Sequence, residues 1–184
     1  MTKTRFFFIA PLLVFLVMVG YFAIGLTKDP SVLPNMLEGK PVPEFSLAPL
    51  QGRDDIGFKN TDLMGDVTLV NVFGSWCVAC LIEHPFLMAI KAQDLIPIHG
   101  IDWREEDRTA GPLWLKKHGD PYTRAGDDPV SKAAIAFGVT GAPETFLVDQ
   151  KGIIRFKHVG PITEPIWRDT LQPLIEALRK EGAS

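Results

Sequence analysis

The stretch DVTLVNVF, Asp66–Phe73, is a β-branched, largely apolar run of the kind that forms a strand buried on both faces. Gly74 and Ser75 end it, Trp76 follows, and the only two cysteines of the chain, Cys77 and Cys80, come next with Val78 and Ala79 between them. Leu81, Ile82, Phe86, Leu87 and Ile90 then recur at helical spacing. The pattern predicts strand, turn and helix, with the cysteine pair at the helix start and Pro85 bending the helix.

Three chemistries use such a pair. As a staple it closes a loop of four residues, for which chain entropy gives about 2 kcal/mol, against nearly 5 for a 100-residue loop. A chain of this size builds its core without that help. As a metal site it needs more ligands: His84 stands one helical turn beyond Cys80, but no second CxxC or His pair follows at zinc spacing. As a redox couple it needs one thiolate that attacks and one neighbour that resolves. Cys77, exposed near the helix N-terminus, would take the first role, because amide N–H groups and the helix dipole favour its anion. Cys80, one turn in and more buried, would take the second.

The compartment follows from the first residues. FFFIAPLLVFLVMVGYFAIGL, Phe6–Leu26, runs 21 residues without a charged side chain. At about 1.5 Å per helical residue it matches a hydrocarbon core of roughly 30 Å. Lys3 and Arg5 precede it, which keeps the N-terminus cytoplasmic and sends the rest across. The competing reading is a cleaved secretory signal, with Ala23-Ile24-Gly25 as cleavage site; the run exceeds the roughly 7 to 15 apolar residues of such signals, so a retained anchor is expected over residues 1–27. A linker rich in proline and small polar residues is expected over 28–40 and one folded domain over 41–184. Up to Lys40 there are four basic and two acidic residues of the 19 and 22 in the chain, which leaves the remainder at net −5. That sign argues against a nucleic-acid partner.

The remaining elements read coarsely. LIPIHGID is a strand and RTAGPLWLKKHG a helix; VSKAAIAFG is a short helix with Gly138 at its end. ETFLVDQKGIIRFKHVG is a hairpin around Gln150-Lys151-Gly152. A last helix starts at an N-cap Thr163 with Pro165 in its first turn, carries Trp167, Leu171, Leu174, Ile175 and Leu178 as its apolar stripe, and kinks at Pro173.

The buried strand, Trp76-Cys77-x-x-Cys80 at a helix start and Pro85 five residues on resemble the thioredoxin superfamily. GVTGAPETFLVD, Gly138–Asp149, adds Pro143 ahead of an apolar strand. The resemblance implies a thioredoxin-like α/β fold, a central mixed sheet flanked by helices behind one N-terminal transmembrane helix. It also implies a cis Ala142–Pro143 bond facing the dithiol. Within the superfamily the chain is most similar to the membrane-anchored periplasmic thiol–disulfide interchange proteins of cytochrome c maturation, the CcmG/DsbE type. The anchor, the pair Glu83-His84 after WCxxC, GIDWREED leading to WLKKHGDPY, and GAPETFLVD carry that likeness. Val78-Ala79 departs from the frequent x-Pro between the cysteines.

This resemblance implies a reductant of the periplasmic side of the bacterial inner membrane, acting without a cofactor or metal. Its electrons would come from a transmembrane thiol reductase of the CcdA/DsbD type. They would pass to the disulfide of the haem-binding CxxCH of apocytochrome c, or of a partner thioprotein. It also implies an acidic surround to the dithiol, mapped to Glu83 and Glu144 and, less firmly, Asp102; Trp76 stands at the rim. Glu144 beside the client groove would select the client. A general thioredoxin-like reductant of broad clientele, a thioredoxin-fold peroxidase and a non-enzymatic anchored binding module are the competing classes.

Overall fold

The computed structural model describes residues 3–26, 37–53 and 57–182, with side chains in the first segment from 11 to 23. The chain divides into two compact units, Met1–Pro34 and Asn35–Ser184. In the first, helix α1 (Lys3–Leu26) is 24 residues long and carries Pro11 inside it. Its described side chains, 11–23, are exposed all round and show no polar face. Among the described residues no helix is long and apolar enough to cross a membrane. Residues 28–36 of the expected linker lie outside the described residues.

The second unit is built on seven strands: β1 (Ser46–Pro49), β2 (Phe58–Lys59), β3 (Thr68–Phe73), β4 (Ile98–Trp103), β5 (Arg124–Asp128), β6 (Glu144–Val148) and β7 (Ile154–Val159). Their order is β2-β1-β5-β4-β3-β6-β7. β3, β4 and β5 pair in parallel and all other neighbours antiparallel, so the sheet is mixed, as the thioredoxin-like reading expects. Helices α2 (Val78–Ala92), α3 (Ala110–His118) and α4 (Lys132–Ala136) follow β3, β4 and β5.

Every residue of β3 is buried, because the strand lies between two apolar clusters. Strand alternation sorts its side chains. Leu69 and Phe73 enter the cluster that holds both cysteines, Leu87, Ile90 and Leu147; Val70 and Val72 enter the other, with Ile101, Phe146 and Val148. Asn71 shares the parity of Leu69 and Phe73, so a polar group is delivered to the cysteine side of the sheet.

The hairpin expected after Pro143 is present. Asp149 Oδ1 accepts the N–H groups of Lys151 and Ile153, and Gly152 turns the chain at φ 76°. The C-terminal helix begins as α5 (Glu164–Ile166), widens into a π-helical turn at Trp167–Leu171 and continues as α6 (Gln172–Gly182). The π turn lies just ahead of Pro173, whose missing N–H cannot close a normal turn. Thr163 precedes the helix but makes no side-chain cap bond, contrary to its expected role. Pro85 lies inside α2 without ending it.

Three strands, β1, β2 and β5, go beyond the sequence reading. β5 reads RAGDD and has no β-branched residue; it is a strand because β4 and β1 flank it. Gly126 lets β1 approach, since a Cβ there would stand 2.4 Å from that of Leu47. The folded unit also starts earlier than Pro41: Gly39 N–H donates to the Ile154 carbonyl and Ile154 N–H to that of Lys40, at 2.8 and 3.0 Å.

In the middle of β4, a Cβ on Gly100 would lie 2.8 Å from the Tyr122 ring and 3.0 Å from Phe73. Gly100→Ala is therefore expected to cost about 1–3 kcal/mol, the usual range for overpacking a filled core. Urea unfolding checks this.

Candidate active site

β3 ends at Phe73, and a short turn carries the chain through Gly74, Ser75 and Trp76 to Cys77, the N-cap of α2. Cys77 and Cys80 are joined in a disulfide with Cα atoms 5.2 Å apart. Cys77 Sγ accepts the N–H of Cys80 at 3.0 Å, so a sulfur occupies the place of a capping oxygen. The sequence reading left Cys77 exposed. Here it is 5 % exposed and Cys80 1 %, because the pair sits in the cluster of Phe73, Leu87 and Ile90, with Ala142 packed against that cluster. Exposed apolar groups at this end include Trp76, Val78, Leu81 and Ile82. Trp76 Nε1 donates to the Trp103 carbonyl at 3.1 Å. An open groove of about 540 Å³ runs past it, lined by Ser75, Trp76, Arg104, Glu105, Glu106 and Asp107.

The Ala142–Pro143 bond is cis. β6 pairs with β3 through Val72↔Glu144, which places Pro143 beside the exit of β3 and continues the parity of Thr145 and Leu147, the cysteine side.

Glu83 lies one turn after Cys80 on the same face of α2 and is 2 % exposed. Its Oε1 accepts from Asn71 Nδ2 at 2.9 Å and its Oε2 from Ile162 N–H at 2.8 Å. Asn71 Nδ2 also donates to Thr145 Oγ1 at 3.0 Å, and Tyr122 O–H donates to Asn71 Oδ1 at 2.7 Å. Burial pushes the Glu83 carboxyl up to about 7, against the lowering effect of the Ile162 and Asn71 hydrogen bonds. Glu83 is thus a buried acid ionising near neutrality, instead of a surface carboxylate. Asn71, Tyr122 and Thr145 were not singled out from sequence; an asparagine inside a β-branched run was the available signal.

Glu144 does not belong to the dithiol surround. It has the parity of Phe146 and Val148, so its side chain lies on the opposite face of the sheet, fully buried. There its Oε1 accepts from Thr140 N–H and Oγ1, and its Oε2 pairs with Lys157 Nζ at 2.9 Å. A buried, paired carboxylate presents no charge to a client, and the selectivity expected of it is withdrawn. Asp102, the last residue but one of β4, pairs in register with Phe73 on the cysteine side and is 1 % exposed. His84, the extra ligand of the metal reading, bonds through Nε2 to the Gly119 carbonyl at 2.9 Å and packs on Trp114. Among the described residues no His, Cys, Asp or Glu cluster could hold a metal.

The Redoxin family model matches residues 37–171. The chain belongs to the redoxin family. This redoxin is 42 % identical over 165 residues to the thiol:disulfide interchange protein DsbE of Allochromatium vinosum, covering 90 % of each chain. It is 35 % identical to the DsbE of Escherichia coli K12, over 94 % of this chain and 95 % of that one. A secreted thiol-disulfide isomerase from Corynebacterium glutamicum shares the fold, with a TM-score of 0.65 at 20 % identity over 81 % of this chain and 96 % of that one. The redoxin is a thiol–disulfide oxidoreductase of the DsbE type, with a thioredoxin-like fold.

Between its ordinary 4.5 and the 7 it has here, Glu83 holds its proton in the folded state and loses it in the unfolded one. Folding stability therefore falls as pH rises through that window, by about 3 kcal/mol at roughly 1.4 per unit. Glu83→Gln is expected to remove most of this decline, leaving a pH-independent offset from the amide turned toward Ile162. Urea unfolding of the oxidised protein at several pH values measures the slope.

Proposed function

We propose that this redoxin is a membrane-anchored reductant that keeps haem-attachment cysteines reduced during cytochrome c maturation, with Cys77 attacking and Cys80 resolving. The observation that carries the roles is the placement of the two sulfurs. Cys77 Sγ already faces an amide N–H at a helix start, whereas Cys80 lies one turn deeper. A thiolate at Cys77 gains from that donor and from the helix dipole.

In the reduced protein the Cys77 thiolate attacks one sulfur of a client disulfide; a mixed disulfide forms and the other client sulfur leaves as thiolate. Cys80 then attacks Cys77 Sγ, the second client thiolate leaves, and the Cys77–Cys80 disulfide is restored. Two electrons pass to the client. Resolution requires the buried Cys80 to lose its proton. Glu83, on the same helix face and ionising near 7, is the group fitted to take it. Trp76, half exposed, and the backbone at Ala142–Pro143 border the place where a client segment would lie.

The client is the CxxCH disulfide of apocytochrome c, or that of a partner thioprotein, and a transmembrane thiol reductase of the CcdA/DsbD type returns the electrons. The likeness of WCxxC-x-x-Glu83-His84, GIDWREED and GAPETFLVD to the CcmG/DsbE branch supports this reading. For the anchor, support comes from the sequence: the 21 residues Phe6–Leu26 carry no charged side chain and follow Lys3 and Arg5. Residues 1–27 would remain as a single span in the inner membrane, with 28–40 as tether and 41–184 on the periplasmic side.

Cys80→Ser is expected to accumulate a mixed disulfide between Cys77 and an oxidised apocytochrome peptide containing CxxCH, and Cys77→Ser to accumulate none. Non-reducing gels with mass assignment of the cross-link read both. Equal trapping by the two variants would refute the roles, and equal capture of an unrelated disulfide peptide would favour the broad reductant.

A further inference from the structure

The loop from Gly138 to Pro143, which joins α4 to β6, is fastened from the face of the sheet away from the cysteines, and the chemistry above makes no use of that fastening. Strand β7 is an edge of the sheet, and Lys157 stands in it opposite Phe146. Residues directly opposite across two strands share a face, so the Lys157 side chain lies with Phe146 and Glu144 on the far side from the dithiol. Its ammonium stands 5.3 Å from the centroid of the Phe146 ring and donates to the Gly138 carbonyl at 2.8 Å. It meets Glu144 Oε2 at 2.9 Å as an ion pair, outside hydrogen-bond angles. The lysine side chain is 8 % exposed and that of Glu144 wholly buried.

The other oxygen of Glu144 holds the loop. Oε1 accepts the N–H of Thr140 at 2.9 Å, the N–H of Gly141 at 3.2 Å and the Thr140 hydroxyl. Beyond Gly141 the chain is tied once more to the end of β7, where Gly160 N–H donates to the Pro143 carbonyl at 2.9 Å. Lys157 therefore grips the loop directly at Gly138 and, through Glu144, at Thr140 and Gly141. Ala142, packed against both apolar clusters, lies between that grip and the bond at Pro143.

We propose that Lys157, paired with Glu144, is a positioning residue for the client path: from the back of the sheet the pair sets the loop from Gly138 to Pro143, and with it the backbone along which a peptide disulfide passes the cysteines. The proposal deepens the functional reading above and rests on it for that path alone. A buried ion pair adds little net stability compared with apolar side chains of the same shape. What this one supplies is placement, since a single carboxylate oxygen gathers three donors from two consecutive residues and an apolar side chain gathers none. Thr140 is exposed and Gly141 half-buried, so without the carboxylate their donors turn to water and the loop is free to spread. A peptide that binds along a spread loop has to order it first, which lowers affinity. A small disulfide without a peptide backbone has no such requirement. The pair itself, buried on the opposite face, presents no charge to either.

The test uses the reduced full-length chain in detergent. Second-order rates are measured with an oxidised peptide containing CxxCH, an unrelated disulfide peptide and a small neutral disulfide. The double variant Lys157→Met/Glu144→Leu removes both charges at once and leaves neither buried alone. In it the ratio of each peptide rate to the small-disulfide rate is expected to fall at least about threefold, the scale of ordering one segment on binding. The fall should be the same at low and high salt, because the pair never meets the client. Lys157→Met/Glu144→Gln restores an uncharged acceptor for Thr140 and Gly141 and is expected to bring the ratio back toward wild type. In the disulfide form, amide hydrogen exchange over residues 138–143 should be several times faster in the Leu variant than in the wild type, and slower again in the Gln variant.

An unchanged ratio in the Leu variant, equal ratios in the two double variants, or a loss confined to low salt overturns the proposal. If the Leu variant does not fold, Thr140→Val must lower the ratio and Thr140→Ser restore it, and equal ratios for that pair overturn it. A wild type inert toward all three disulfides would instead refute the functional reading, with the exchange of residues 138–143 still deciding whether the pair holds the loop.

Discussion

The bond from Cys80 N–H to Cys77 Sγ is the contact around which the site is organised, because it fixes a sulfur at the point where a helix leaves its first amides unpaired. That geometry requires the helix to start immediately after the sheet. It does so because β3 is buried on both faces up to Phe73, and the turn from Gly74 to Trp76 is fastened to the neighbouring strand end by Glu105 and by the Trp103 carbonyl. The position of Cys77 is therefore set by β4 as much as by its own helix.

Below the cysteines the protein keeps a polar network in an otherwise apolar layer. Glu83, Asn71, Tyr122 and Thr145 satisfy one another, and Ile162 adds a backbone donor. An unpaired polar group in such a place is costly, whereas a connected network is tolerated and rigid. The network also sets protonation. Burial leaves Glu83 ionising near neutrality, where an acid can exchange a proton with a thiol during turnover. On the opposite sheet face Glu144 is buried as well, but Lys157 meets it there, and its work is to fasten the turn at Thr140 to the hairpin.

The strand, the cysteine pair at a helix start and the hairpin were legible in the sequence, because each has a local signature in side-chain type and spacing; the cis Ala142–Pro143 bond was implied only by the resemblance to the thioredoxin superfamily. β5 was not: RAGDD becomes a strand through its neighbours, and nothing in its own residues announces that. The two glutamates show a different limit. Both stand in motifs shared with the CcmG/DsbE branch, so the motif gave their places along the chain. Which side of the sheet Glu144 faces depends on strand parity in β6, where Glu83 points depends on its place in the turns of α2, and how deeply each is buried depends on packing that no single stretch contains. The same holds for Asn71 and Tyr122, 51 residues apart and joined by a bond between side chains. Ser75 and Glu105, 30 residues apart, meet only because β3 and β4 run parallel.

The claim on which all of this rests is that the helix start makes two chemically unequal cysteines. Reducing the full-length protein and exposing it briefly to iodoacetamide at neutral pH, with the label located by mass spectrometry, tests it directly. The expected result is label on Cys77, with Cys80 unmodified until the protein is unfolded. Equal labelling of the two, or earlier labelling of Cys80, would contradict it.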